Sequence, residues 1–266
     1  MVNVGFIGCG NMGMAIMNGI LSSDMSKDIR LFAYDKFDEA LEKAKAAGVQ
    51  ASGNAADVVK NCKYVFFAIK PQQLDEVLDE AASAVTAETV IVSILAGVTD
   101  EYYAKRTVSG AKVVLVMPNT PFLLGEGATA LSRSDSVSDE EFDLVCKIFS
   151  SGGISKVIDK DKMKEIIAIN GSSPAFIYLY TQYFVDYAKS VGIDEDTAKE
   201  LFAKSLIGSA KMITDSGRSL DELIQMVSSK GGTTIAGLEK LRENGLSKAV
   251  DECCKACTNR AYELSK

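Results

Sequence analysis

The sequence predicts an α/β chain in which an N-terminal doubly wound parallel sheet is followed by a C-terminal all-α domain. Three observations predict it. Apolar, valine-rich runs alternate with helical stretches as far as about residue 158, the pattern of a parallel sheet covered on both faces. A glycine turn, Gly8-Cys9-Gly10-Asn11-Met12-Gly13, joins the first of these runs to the first helix. From Met163 onward, helical periodicity continues with almost no strand-like segment. The change of character after Asp159-Lys160 divides the chain into domains of 1–160 and 161–266.

The elements follow in order. Residues 2–7 read as a buried strand and about 12–22 as the first helix. A strand at 29–34, a helix at 37–47, a short strand at 49–51 and a strand at 64–69 continue the alternation. A helix from near Gln72 leads to the strand 89–94, and a helix near 100–106 leads to the strand 112–117. Ala128–Ser132 and Ile154–Ile158 are expected to form a hairpin flanking a helix at 139–150. Helices at 162–190, 194–215, 219–228, 232–243 and 246–264 follow, with breaks at Gly192, Gly217 and Gly245. The stretch Ile166–Val185 carries Phe176, Tyr178, Tyr180, Tyr183 and Phe184, more than one exposed helix face accommodates. An internal bundle position or a subunit contact would bury them, and the subunit contact is preferred.

Composition narrows the function. The chain has 266 residues, 47% of them apolar, enough for one large core or two ordinary domains. A formal charge of −7 with scattered basic residues speaks against nucleic acid, whose phosphates demand a basic stripe. No apolar run approaches the roughly 20 residues that span a bilayer. The chain enters its first strand without a basic and apolar leader, so a cytoplasmic location is expected. The six cysteines have no framework spacing, and Cys254-x-x-Cys257 is expected to pack in a helix rather than hold a metal. Histidine is absent, which removes serine–histidine–acid triads, histidine-ligated zinc and a histidine general acid.

The glycine turn sits between a strand and a helix, the context that a dinucleotide fingerprint requires, and so predicts a Rossmann domain. Gly8 makes the turn, Gly10 lets the backbone approach a pyrophosphate, and Gly13 permits close packing of helix on strand. Backbone N–H groups of Cys9, Asn11 and Met12 at the helix start would attract the anion. Asp35 ends the second strand about 20 residues further on, where a carboxylate accepts hydrogen bonds from the adenosine ribose hydroxyls. That favours NADH slightly, although Lys36 beside it could meet a 2′-phosphate. Ala68-Ile69-Lys70-Pro71 stands at the carboxyl end of the next sheet strand, where open α/β sheets bind ligands. Lys70 could face phosphate or nicotinamide, or simply precede a proline-started helix. The small residues of Ser93–Gly97 could admit a flat ring.

Four segments together resemble the pyrroline-5-carboxylate reductase family, of the 6-phosphogluconate dehydrogenase-like superfamily. They are the Gly8–Gly13 turn followed by Ala15-Ile16, Ala68–Gln72, Met117-Pro118-Asn119-Thr120-Pro121, and Gly231-Gly232-Thr233-Thr234-Ile235-Ala236-Gly237-Leu238. The resemblance implies NAD(P)H-dependent reduction of 1-pyrroline-5-carboxylate to L-proline, the last step of proline biosynthesis. It implies that Asn54 lies on the adenosine side, that Ile69, Lys70 and Ala96 line the cofactor cleft, and that Ser229, Gly231, Gly232, Thr233 and Thr234 cradle the substrate. Thr234 would stand near the ring nitrogen as the catalytic hydroxyl. A homodimer through the C-terminal helices is also implied, in some relatives arranged as a ring of five.

Successive amides in a glycine-rich turn at a helix start hold a carboxylate without a charged side chain. The bland alternative, a turn with Thr233 or Thr234 as N-cap, accounts for one threonine and not for the run. The sequence departs from the family at Lys230, where proline is usual, at Leu115, where arginine is common in bacteria, and across Asn170–Phe176 and Lys164–Ile167. A β-hydroxyacid dehydrogenase is the nearest alternative; it uses a lysine and an asparagine one helical turn apart, a spacing that Lys164 and Asn170 do not have. A non-enzymatic dinucleotide sensor is the alternative from another class.

Overall fold

The computed structural model describes residues 1–265. Its strands are β1 (Val2–Ile7), β2 (Ile29–Tyr34), β3 (Gln50–Ala51), β4 (Tyr64–Phe67), β5 (Val90–Ser93), β6 (Lys112–Met117), β7 (Gly127–Arg133) and β8 (Gly153–Val157). They form one eight-stranded sheet in the order β3-β2-β1-β4-β5-β6-β7-β8. Every pairing is parallel except β6 with β7. Chain order reverses direction between β1 and β4, the switch point at which such sheets bind ligands.

The helices alternate with the strands: α1 (Asn11–Ser22), α2 (Asp38–Ala46), α3 (Ala55–Asn61), α4 (Leu74–Ala81), α5 (Asp100–Arg106) and α6 (Asp139–Ser150). Adjacent strand residues point to opposite faces, so the two central phenylalanines divide between two cores. Phe66 joins Phe6, Ile16, Ile20 and Phe149 beneath α1 and α6, and its ring stacks on Phe6 at 4.5 Å. Phe67 joins Val58, Leu78, Tyr103 and Ala261 on the other face. The continuous apolar runs in the sequence are thus strands buried on both sides.

Two expectations are corrected. Ala128–Ser132 and Ile154–Ile158 do not form a hairpin: β7 and β8 pair in parallel, with Gly127 opposite Gly153 and Leu131 opposite Val157. The helix between them carries the chain back to the end of the sheet it started from, as a crossover must, and the antiparallel neighbour of β7 is β6. Residues 162–190 are not one helix. A 3-10 turn at Lys160–Lys162 and a π-helical turn at Ile167–Gly171 precede α7 (Ser173–Ser190). Pro174 has no amide to donate into a preceding turn. Asn170 is drawn to the sheet instead, its Nδ2 donating to the carbonyls of Met117 at 2.7 Å and Ala128 at 3.2 Å.

The remaining helices are α8 (Glu195–Asp215), α9 (Leu220–Met226), α10 (Thr233–Glu243) and α11 (Leu246–Glu263). Two compact units result, Met1–Pro174 with the segment from Ala256, and Ala175–Lys255. They divide the chain elsewhere than the change of character at 160/161. The reason is packing: Asn170 bonds to the sheet, and Ala261 is buried in the second core, its carbonyl against Gly97. In the helical unit only Val185 and Ala188 are buried among the described residues. Phe184 stacks on Phe202 at 4.5 Å, but Tyr178, Tyr183 and Tyr187 are each more than 60% exposed.

Candidate functional site

The glycine turn has the geometry its sequence promised. Gly8 has φ +107°, and a Cβ there would stand 2.5 Å from the Ala68 carbonyl oxygen. A Cβ at Gly13 would stand 2.4 Å from the Gly8 oxygen, so the start of α1 seats directly on the turn. Gly10 differs, because nothing of the protein lies within 4 Å of a Cβ built on it. As N-cap of α1 it lends no side chain to the helix, and no acidic residue occupies the first turn. The N-terminal amides are left for an anion.

Asp35 is tied into this turn. Its Oδ2 accepts the Cys9 amide at 2.7 Å and its Oδ1 the Phe37 amide at 2.9 Å, which fixes the carboxylate at the end of β2. The second lone pair of each oxygen stays available for hydroxyl donors. Burial, and then the charge of Asp35, push the Cys9 thiol up to about 12, so it serves as an inert apolar filler.

A cleft of about 340 Å³ opens at the switch point. It brings together Gly8, Gly10, Asp35, Ala68, Ile69 and Lys70 from the ends of three strands. Lys70 also fulfils its structural alternative, since its amide donates to Gln73 Oε1 at 3.0 Å ahead of the turn begun by Pro71. Cys9, Asn11, Met12, Asn54, Pro71 and Ala96 are not among the cleft's lining residues. Asn54 caps α3, its Oδ1 accepting the Asp57 amide at 2.8 Å. The cleft also holds Tyr34, Glu76, Val77 and Glu80, none of them singled out in the sequence. The α4 residues had no signal, because a carboxylate on an amphipathic helix reads as solvated surface.

A second cavity, about 310 Å³, is lined by Leu95, Val98, Leu115, Met117, Asp100 and Lys160 among others. Leu115, the departure from the family pattern, is buried here. Asp100 pairs with Lys160 at 2.8 Å, and burial raises its carboxyl above the usual range.

In the helical unit the Ser229–Thr234 run makes a tight turn into α10. The Gly232 amide donates to the Ser229 carbonyl at 2.9 Å, and Gly231 adopts φ +72°. A Cβ on Gly232 would meet Ser229 Oγ at 2.6 Å and the Ser229 carbonyl oxygen at 3.0 Å, so the turn packs closely there. Neither threonine is the N-cap: Gly232 is, with no side-chain hydrogen bond and no acid in the first turn. The start of α10 is therefore a second set of uncapped amides, with the half-buried Thr234 beside them. Lys164 lies over the Tyr262 ring, 4.5 Å from its centre, while Asn170 is bonded to the sheet.

Comparison with known proteins agrees with both halves of this arrangement. The family model described as pyrroline-5-carboxylate reductase dimerisation matches residues 160–264, and that described as NADP oxidoreductase, coenzyme F420-dependent, matches residues 3–97. Pyrroline-5-carboxylate reductase of Escherichia coli is 33% identical over 99% of this chain and 98% of its own length. Pyrroline-5-carboxylate reductase 3 of Xenopus laevis is 34% identical over 99% and 96%. The crystal structure of Plasmodium falciparum pyrroline carboxylate reductase with NADP bound superposes with a TM-score of 0.88 at 26% identity, covering 100% of this chain and 98% of that one.

Proposed function

The chain belongs to the pyrroline-5-carboxylate reductase family, and from that premise we propose that it reduces 1-pyrroline-5-carboxylate to L-proline with NAD(P)H, the last step of proline biosynthesis. The observation that carries the proposal is the end-to-end match to two reductases, which takes in both the glycine fingerprint and the Ser229–Thr234 turn.

The cofactor supplies the hydride. The chain's own residues bind and orient. The uncapped amides of α1 and the open side of Gly10 suit a pyrophosphate, and the pinned Asp35 carboxylate suits two ribose hydroxyls. Asn54 is assigned to the adenosine side, and Ala68, Ile69, Lys70, Pro71 and Ala96 to the walls of the cleft. Ser229, Gly231, Gly232 and Thr233 are assigned to the cradle of the substrate carboxylate, which the uncapped amides that begin α10 suit. The Thr234 hydroxyl stands at the ring nitrogen, whose positive charge disappears as the C–H bond forms. A protonated imine is already electrophilic, so bringing its carbon within about 3–3.5 Å of the hydride-donating carbon would supply most of the catalysis. A protein without histidine can therefore perform the reaction.

Asp35 gives NADH a slight advantage over NADPH. The exposed aromatic faces of α7 and the family's dimerisation segment support a homodimer through the C-terminal helices, with a ring of five dimers as the larger assembly. No helix among the described residues is long and apolar enough to cross a membrane, and the cytoplasm is the proposed location.

The test is oxidation of NADH and NADPH with DL-pyrroline-5-carboxylate. Turnover is expected with at least one cofactor, and none with either would overturn the proposal. Thr234→Ala should lower kcat/KM about tenfold or more, the cost of a lost hydrogen bond to a charged group. Asp35→Ala should raise the NADH KM by a similar factor, and an unchanged KM would refute the ribose contact.

A further inference from the structure

Sequence alone offered Asp35 as the only discriminator between the two nicotinamide cofactors, with Lys36 as a possible counterweight. The cleft contains more. Glu76 and Glu80, on successive turns of α4, line it together with Asp35, so three carboxylates share the cleft with Lys36 and Lys70. Lys36 is shared with these carboxylates: its Nζ is 3.9 Å from Glu76 Oε2 and lies 5.5 Å from the centre of the Phe37 ring. Glu80 is held in place, its Oε1 accepting the Ala55 amide at 2.9 Å where α3 begins. Asp35 is held by two amides.

We infer that Glu76 and Glu80 are specificity-determining residues that exclude the 2′-phosphate of NADPH and so make this chain selective for NADH. The inference rests on the cofactor assignment made above and extends it to residues that no motif marks. The adenosine ribose of NADH offers two hydroxyls, which carboxylates accept from readily. The 2′-phosphate of NADPH brings about two negative charges and only acceptor oxygens to the same place. Lys36, the cation next to Asp35 in the chain, has Glu76 as a neighbour at 3.9 Å. The potential is felt by the neighbouring phenol: burial first, then Glu80, Asp35 and Glu76, push the pKa of Tyr34 up and so disfavour its ionisation. Asp35, just after β2, and Glu76 and Glu80 of α4 thus all border the same cleft.

Glu76 and Glu80 have different second roles, which makes the test sharp. Glu80→Gln removes the charge but keeps an oxygen for the Ala55 amide, so α3 stays tied to α4. Glu76→Gln removes a charge and also releases Lys36. The probes are NADH and NADPH, titrated by the fluorescence of the reduced nicotinamide, with kcat/KM for each measured in parallel. The wild-type protein should favour NADH by about tenfold or more, and added salt should narrow the gap by screening the repulsion. Glu80→Gln should raise the NADPH/NADH ratio of kcat/KM by about three- to tenfold, the range for removing one charge several ångströms from a doubly charged phosphate in a solvent-screened cleft. Glu76→Gln should raise it more. Glu88→Gln, which removes equal charge outside the cleft, should leave the ratio unmoved. A ratio unchanged in both cleft variants, or changed equally in Glu88→Gln, would overturn the inference while leaving the cofactor assignment standing. Failure of the wild-type protein to bind either dinucleotide would overturn both.

Discussion

The three fingerprint glycines do separate work, and substitution separates it. An added Cβ at Gly13 collides with a backbone oxygen, whereas one at Gly10 meets only open space. Gly13→Ala should cost about 1–3 kcal/mol of stability, the usual penalty of forcing atoms into a packed site, and weaken cofactor binding as well. Gly10→Ala should unfold at nearly the wild-type urea midpoint and lose affinity for the dinucleotide. Equal midpoints for the two variants would refute this division. These positions were legible in the sequence because their geometry is local, set by a strand, a turn and a helix start within a dozen residues. The residues facing the cleft from α4 were not, because a solvated glutamate and a cleft glutamate look alike until the sheet has brought α4 beside β2.

Among the elements, α6 shows how burial and charge combine. It opens with a capping box, Glu141 accepting the Ser138 amide at 3.1 Å while Ser138 Oγ accepts the Glu141 amide. Glu141 is buried and also receives Lys112 at 2.9 Å and Lys63 at 3.0 Å. Burial pushes its carboxyl up, but these lysines and the Ser138 amide outweigh it and hold the group down at about 2, below the usual 4.5. A depressed folded value means that the stabilisation is complete above the unfolded pKa and disappears as pH falls from about 4.5 towards 2. Up to about 3 kcal/mol is at stake. Urea unfolding from pH 6 to 2.5 should show a steep acid limb that Glu141→Gln flattens; an unaltered slope would refute it. Element types were mostly readable from periodicity, but partners were not. The run at 154–158 looked like half of a hairpin because alternation says nothing about direction. The π turn at Ile167–Gly171 was hidden because apolar periodicity continues through it, and the carbonyls that Asn170 reaches from it lie far away in the sequence.

For the whole molecule, the helical unit has too little interior to stand alone, with two buried apolar side chains among its described residues. Burying rings such as Tyr183 and Tyr187 between two copies returns about 25 cal/mol for each Å² withdrawn from water. Tyr183→Arg combined with Tyr187→Asp should convert the proposed dimer to monomer in size-exclusion chromatography with light scattering, and an unchanged mass would place the interface elsewhere. The crowding of rings on one helix was visible in the sequence; that they lie unburied within the chain was not. The closing segment of α11 has another consequence. Ala261, late in the chain, packs against Gly97 and fills a wall of the nucleotide-binding unit. During synthesis that unit emerges from the ribosome first, yet it waits for the residues beyond Ala256 before its second core is sealed. The contact of Ala261 with that core therefore forms only after the helices in between have been translated.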